Sequence, residues 1–196
     1  MSKSRLEAFS DGVIAIIITI MVLEMKVPHG ADFAALAPLW PVFLGYILSF
    51  LYVGIYWNNH HHMLHAAHHV TGTVLWANLH LLFWLSLIPF STGWMGENHF
   101  APLPSALYGC NLLMAAAAYW ILQTTIICAE RDTSILARAV GKNIKEKMSL
   151  VLYLSGIVSA FYFDWTAQIS YLVVALMWII PDARIEQALE KKRSKV

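Results

Sequence analysis

A cluster of six histidines lies within the ten residues from His60 to His69 and is the densest group of potentially reactive side chains in the sequence. If a helix runs through this segment, His61, His65 and His69 share one face, at a spacing that suits zinc, copper or nickel. No cysteine or carboxylate accompanies them. Three interpretations stay open: fastening of helices at a membrane edge, sensing of pH near neutrality, and metal binding. We predict that no metal ion is required.

Ionisable side chains also introduce the first apolar stretch, in the order Arg5, Glu7 and Asp11. Such groups at the edge of a membrane span are costly unless they are paired or face a cavity. Arg5 and Asp11 are six residues apart, so on a helix their side chains point about 120° away from each other. Each therefore needs a partner on another helix. This predicts either a fastening point between helices or a site that handles ions or protons.

The elements that position these residues follow from composition. The chain has 196 residues, of which 59% are hydrophobic and 13% charged, whereas soluble domains are about half apolar and about a quarter charged. The apolar residues fall into blocks of roughly 18 to 27, and about 20 residues of helix cross the hydrocarbon core. We predict an all-α polytopic membrane protein, one domain over residues 1–196 with six transmembrane helices. The predicted spans are about 6–26, 35–58, 72–95, 102–128, 148–163 and 166–182.

The basic residues predict the orientation. With the N-terminus in the cytoplasm, twelve of the thirteen lysines and arginines lie on the inside, and only Lys26 lies outside. The twelve are Lys3, Arg5, Arg131, Arg138, Lys142, Lys145, Lys147, Arg184, Lys191, Lys192, Arg193 and Lys195. We therefore expect a multi-pass protein of the cell membrane, in contact with lipid, with both termini cytoplasmic. The sequence has no glycine-rich phosphate loop and no soluble second domain, so we expect no cofactor and no nucleic acid partner.

One face of the first helix carries a second pattern. On a helical wheel, a set of residues falls within about 100°. The set is Gly12, Ile16, Thr19, Ile20 and Leu23. Such a face lines a narrow path or forms a stripe that contacts lipid or another helix. Periodicity alone favours the stripe, because nearly every position in this stretch is apolar.

The start of this helix resembles the signature of a known family. An arginine, a three-residue gap and then phenylalanine, serine and aspartate are typical of the lysosomal potassium channel family of the transmembrane protein 175 type, in its prokaryotic single-repeat form. The resemblance covers essentially the whole chain. The residues that carry it are Arg5, Phe9, Ser10, Asp11, Trp57, His60, Asn78, Pro89 and Phe90.

The resemblance implies a homotetramer of six-helix subunits that conducts potassium ions passively through a pore lined by the first helices. It implies that the chain is not an enzyme. By distance from the aspartate, the hydrophobic constriction corresponds to Ile16, and further pore rings correspond to Thr19 or Ile20 and to Leu23. These positions lie on the face that the helical wheel defines.

The resemblance also implies a structural network around the first helix. Arg5 and Asp11 are expected to be tied to a histidine at the cytoplasmic end of the second helix, which corresponds to His60, with His61 as the rival. Phe9, Ser10 and Asn78 complete the predicted network.

Selectivity must arise without the usual potassium filter, because no threonine-valine-glycine-tyrosine-glycine loop is present. A ring of isoleucines excludes water, so an entering ion must be partly dehydrated, which favours potassium over sodium.

Two alternatives to a potassium channel remain. One is a proton-coupled secondary transporter with Asp11 and the histidines as a relay, and the other is a membrane metal-binding protein built on the histidine cluster. A transporter usually has internal repeats or broken helices near the midplane, and the sequence predicts neither.

Overall fold

The computed structural model of the protein describes residues 2–67, 69–130, 144–163 and 165–179. In these ranges the secondary structure is helical throughout, without a strand, so the all-α prediction is confirmed. The helices are α1 (Lys3–Leu23), α2 (Phe33–Leu36), α3 (Trp40–Ala66), α4 (Gly72–Ser86), α5 (Ile88–Glu97), α6 (Pro102–Glu130), α7 (Ile144–Ser159) and α8 (Thr166–Ile179). A 3-10 turn, Ala37–Leu39, joins α2 to α3.

Helices stand at all six predicted span positions. Four segments are long and apolar enough to cross a membrane, namely Lys3–Leu23, Phe33–Ala66, Gly72–Glu97 and Pro102–Glu130. At the last two positions, the described parts of α7 and α8 have 16 and 14 residues, and each part borders residues outside the described ranges. Residues 180–182 of the last predicted span lie outside the described residues.

Two helices differ in extent from the predicted spans. The helix at the second span does not end at residue 58 but continues to Ala66, because this stretch contains no proline or glycine and buries Met63 and Leu64 against the core. The candidate span Gly72–Glu97 consists of two helices, α4 and α5, which are separated at Leu87. Pro89 explains the break, because it has no N–H to donate to the carbonyl of Leu85.

The first helix runs antiparallel to α3 and packs on α3, α4 and α5. One end of this contact is marked by Lys3, whose Nζ donates to the carbonyl oxygen of His65 at 2.8 Å. Further along, Trp57 Nε1 donates to Asp11 Oδ1 at 3.0 Å. The face of α1 turned toward the bundle buries Leu6, Ser10, Ile14, Ile17 and Met21.

On another side of the bundle, α7 and α8 pack against each other and against α6. Tyr171 of α8 fills this junction, and its hydroxyl donates to the carbonyl of Ser105 at 3.1 Å. A side chain at Gly109 or Gly156 would collide with the Tyr171 ring, so both positions require glycine for this close approach. These helices therefore lie away from α1, and the candidate site is built by α1 and α3 to α6.

Candidate pore helix and its attachment

One face of α1 is left exposed by the described residues of the subunit. Ile16 is 57% exposed and Leu23 is 79% exposed, whereas Ile14 and Ile17 are 1% and 3% exposed. Thr19 and Ile20 are exposed as well, so every predicted pore position lies on the uncovered face. A β-carbon built at Gly12 would meet nothing within 4 Å. The stripe that the helical wheel defines is therefore continuous in three dimensions.

Thr19 is the polar member of this stripe. Its hydroxyl donates to the carbonyl of Ile16 at 2.9 Å, so its proton is used within the helix. The oxygen keeps its lone pairs for groups outside the helix. A hydroxyl whose proton is bonded within the helix suits an apolar surface, and its oxygen can still coordinate a cation.

Three buried polar side chains join α1 to α3 and α4. His60 Nε2 lies 2.7 Å from Asn78 Oδ1, and Asn78 Nδ2 donates to Ser10 Oγ at 3.0 Å. All three side chains are at most 1% exposed. Because the Asn78 oxygen accepts, His60 carries its proton on Nε2 in this arrangement. We call Ser10, His60 and Asn78 the buried triad.

The two neighbouring histidines, His60 and His61, lie in different surroundings. His60 is enclosed and bonded to Asn78, whereas His61 is exposed on the outside of α3. The chain of bonds ends when Ser10 Oγ donates to the carbonyl of Leu6 at 2.9 Å. Every side chain of the triad thus has a partner, as a polar cluster inside a membrane requires.

Among the described residues, no hydrogen bond or ion pair joins Arg5 or Asp11 to His60, and the predicted tie stays a prediction. Asp11 does find its partner on another helix, but that partner is Trp57. Arg5 is exposed, and among the described residues it makes no hydrogen bond or ion pair. Phe9 is also half exposed. Sequence reasoning missed the role of Trp57, although its position one helical turn before His60 is a usable signal.

Lysine side chains attach α1 to its neighbours near both ends. At the start, Lys3 donates to the carbonyl of His65 on α3 and also lies 3.9 Å from Glu7 Oε1 within α1. After the end of α1, Lys26 Nζ lies 2.6 Å from Glu97 Oε1 at the end of α5. The hydrogen bond and charge of Glu97 raise the pKa of Lys26, so this lysine stays charged at neutral pH. The exposed stripe therefore belongs to a helix whose two ends are both attached to neighbouring parts of the subunit.

The histidine cluster does not form the predicted three-residue face. The rings of His61 and His65 stack on α3, with centroids 6.0 Å apart and an angle of 14° between their planes. Because α3 ends at Ala66, His69 lies beyond the helix. In the described ranges, no group of three or more histidine, cysteine, aspartate or glutamate side chains could hold a metal ion. His68 lies outside those ranges.

Removal of metal is expected to have no effect on the protein. Protein purified without a histidine tag and treated with a chelator should keep its unfolding midpoint and its conduction, because the folded core contains no described group of three ligands. Thermal unfolding and bilayer currents, each with and without chelator, check this. Stoichiometric zinc or copper retained through purification, with loss of current on its removal, would contradict it.

Comparison with known proteins identifies the family. A family model described as the endosomal/lysosomal potassium channel TMEM175 matches residues 5–89, which include α1 and the buried triad. A potassium channel from a Chryseobacterium species is 55% identical over 191 residues, which are 97% of this chain and 100% of that protein. The chain belongs to the TMEM175 family. Membership in a family of ion channels confirms the prediction that the chain is not an enzyme.

More distant TMEM175 relatives agree with this assignment. The endosomal/lysosomal proton channel TMEM175 of Homo sapiens is 31% identical over 149 residues, which are 68% of this chain and 30% of that protein. The crystal structure of a lysosomal potassium-selective channel TMEM175 homolog from Chamaesiphon minutus matches the fold with a TM-score of 0.79 and 25% identity. That match covers 92% of this chain and 97% of the other. The family fold thus extends beyond the 5–89 segment to the later helices.

Proposed function

We propose that the chain is the subunit of a homotetrameric channel that conducts potassium ions passively. Four copies of α1 surround the axis, with Ile16 as the hydrophobic constriction and Thr19, Ile20 and Leu23 as the remaining lining. The observation that carries the proposal is the uncovered stripe on α1, which is 57% exposed at Ile16 and 79% at Leu23. The potassium channel names of the bacterial relatives support the choice of ion.

The position of Arg5 favours contact between copies over contact with lipid alone. On a helical wheel, Arg5 points within about 20° of Ile16 and Leu23, in the middle of the stripe. It makes no bond within the described part of the subunit. A charged group in line with an apolar stripe finds its partners most readily on a second copy or in a water-filled entrance.

Selectivity follows from dehydration at Ile16. A ring of four isoleucines excludes water, and potassium sheds its hydration shell at lower cost than sodium does. Thr19, one turn away, presents a hydroxyl oxygen whose own proton is already bonded to Ile16. This oxygen replaces part of the lost hydration. At the far end of α1, the exposed Glu24 attracts cations toward the entrance.

The proposed channel spans the cell membrane as a single six-helix domain with both termini in the cytoplasm. The positive-inside bias of the sequence supports this orientation. Four of the twelve basic residues that carry this bias lie within the described ranges, namely Lys3, Arg5, Lys145 and Lys147. The other eight predicted inside residues lie outside the described ranges.

Reconstitution in planar bilayers tests the proposal. Under opposed potassium and sodium gradients, we expect discrete current steps that reverse close to the potassium equilibrium potential. Cross-linking of the reconstituted protein should give species up to four subunits. Smooth currents without steps would contradict the channel proposal and favour a carrier. A reversal potential that follows an imposed pH gradient would mean that the channel conducts protons rather than potassium ions.

Arg5→Ala is expected to weaken assembly and to leave the subunit fold intact. Arg5 has no partner within the described subunit, whereas Asp11 is bonded to Trp57, so Asp11→Ala should also lower the stability of the subunit. Size-exclusion profiles in mild detergent, compared with thermal unfolding of each variant, separate the two effects. An Arg5→Ala tetramer that is undisturbed but has lost potassium preference would move Arg5 into the filter.

A further inference from the structure

The break between α4 and α5 is bridged by a side chain from a different helix. In a continuous helix, the N–H of Ile88 would donate to the carbonyl of Trp84. Here the amide of Asn111, on α6, lies between these two groups. In the orientation that satisfies its neighbours, its nitrogen donates to the Trp84 carbonyl at 3.0 Å and its oxygen accepts from the Ile88 N–H at 3.2 Å. The same oxygen accepts from Ser91 Oγ at 3.1 Å.

A second polar contact follows one turn later. Ser49 Oγ of α3 lies 2.6 Å from Thr92 Oγ1 and 2.9 Å from the hydroxyl of Tyr108. Tyr108 precedes Asn111 by three residues, so both side chains leave the same face of α6. Asn111 is 6% exposed and Thr92 is 5% exposed, which places the whole contact inside the bundle. Unpaired backbone groups at such a depth are costly, so Asn111 stabilises a bend that Pro89 makes unavoidable.

The bent segment lies against the proposed pore helix, because α1 packs on α5. A groove of about 560 Å³ remains between them, lined by Ile16 and Ile20 on one side and by Phe90 and Gly93 on the other. At its far end, α5 is joined to the chain after α1 by the ion pair of Lys26 and Glu97. The direction in which α5 leaves the break therefore determines where the outer half of α1 is supported.

We infer that Asn111 is a positioning residue that holds α5, and through it the pore face of α1, by bridging the break at Leu87. The inference rests on the proposed function, because it takes α1 as the pore helix. Asn111 touches neither the stripe nor the axis side of α1, and it lies beyond the 5–89 segment that the family model matches.

Asn111→Leu tests the inference, since leucine has a similar size and makes neither bond. We expect the unfolding midpoint to fall by about 5 °C, because the N–H of Ile88 is left unpaired and the carbonyl of Trp84 keeps only the N–H of Leu87, at 3.3 Å. In planar bilayers, the preference for potassium over sodium should fall about fivefold, since α1 loses rigid support behind the Ile16 ring. Gln123→Leu is the matched control, a buried amide on the same helix about 18 Å away. It should not alter the ion preference.

Pro89→Ala identifies the bridge as the cause. With alanine at this position, the helix can close its own hydrogen bonds, so Asn111→Leu should cost much less stability in the Pro89→Ala protein than in the wild type. Equal losses in both backgrounds would overturn the inference.

Should Asn111→Leu alone fail to assemble, the double variant of Pro89→Ala and Asn111→Leu is measured instead. Its straightened helix should still alter the ion preference, and wild-type preference in that variant would overturn the inference.

Ile16→Asn, measured in the same bilayers, separates this inference from the proposed function. If Ile16→Asn changes the current while Asn111→Leu lowers stability without changing the ion preference, Asn111 is merely structural and the inference is overturned alone. If neither substitution changes conduction in assembled protein, α1 is not the pore helix, and both proposals fall.

Discussion

Ile16→Asn is expected to raise the potassium conductance about tenfold, which corresponds to a barrier lower by about 1.4 kcal/mol. Ile16 is 57% exposed on the uncovered face of α1 and has no described role in packing the subunit, so the subunit fold should tolerate the change. Four amides around the axis would let water occupy the constriction. Sodium would then shed less of its water, and discrimination between the two ions should fall. Single-channel conductance and reversal potentials measure the two effects.

Ile18→Asn is the control for this gate. On a helical wheel it points about 160° away from Ile16, and its side chain packs partly against the core. The substitution should lower stability without opening the path for ions. Equal effects of the two substitutions, or an unchanged current in a correctly assembled Ile16→Asn channel, would remove Ile16 from the constriction.

Asn78→Leu is expected to have the largest effect on stability, about 2–4 kcal/mol. It leaves the N–H of His60 without its acceptor at the junction of α1, α3 and α4, and it removes the donor to Ser10. Because α1 is attached through this junction, the tetramer should dissociate at lower temperature in detergent. Thermal unfolding followed by size-exclusion chromatography measures the loss.

Ser10→Ala and Asn58→Leu grade the result. Alanine at position 10 keeps the bond between His60 and Asn78 and removes the acceptor of the Asn78 amide, so its loss should be the smaller one. Asn58 is a half-buried amide on α3 without a hydrogen bond among the described residues, and its replacement should cost little. If Asn58→Leu lowered the stability as much as Asn78→Leu, the loss would come from replacing any amide in the bundle and not from the hydrogen bonds of the buried triad.

The helical class, the approximate positions of six helical segments and the set of residues that share one face of α1 could be predicted from the sequence. These properties are local: twenty apolar residues in a row specify a membrane helix, and the 100° turn per residue specifies which side chains share a face. Ile16 and Leu23 could therefore be assigned to one face before any neighbour of α1 was known. The conclusion that Asp11 needs a partner on another helix had the same local origin.

The identity of those partners depends on how the helices pack against one another. Asp11 pairs with Trp57, and His60 rather than His61 reaches Asn78, because the register between antiparallel helices depends on packing along their whole length. The same limit applies to the break at Leu87. The break was not predicted, and only the packing of α6 against α4 and α5 brings Asn111 to the backbone on both sides of it. Contacts between residues far apart in sequence leave no periodic trace, so no helical pattern could have predicted them.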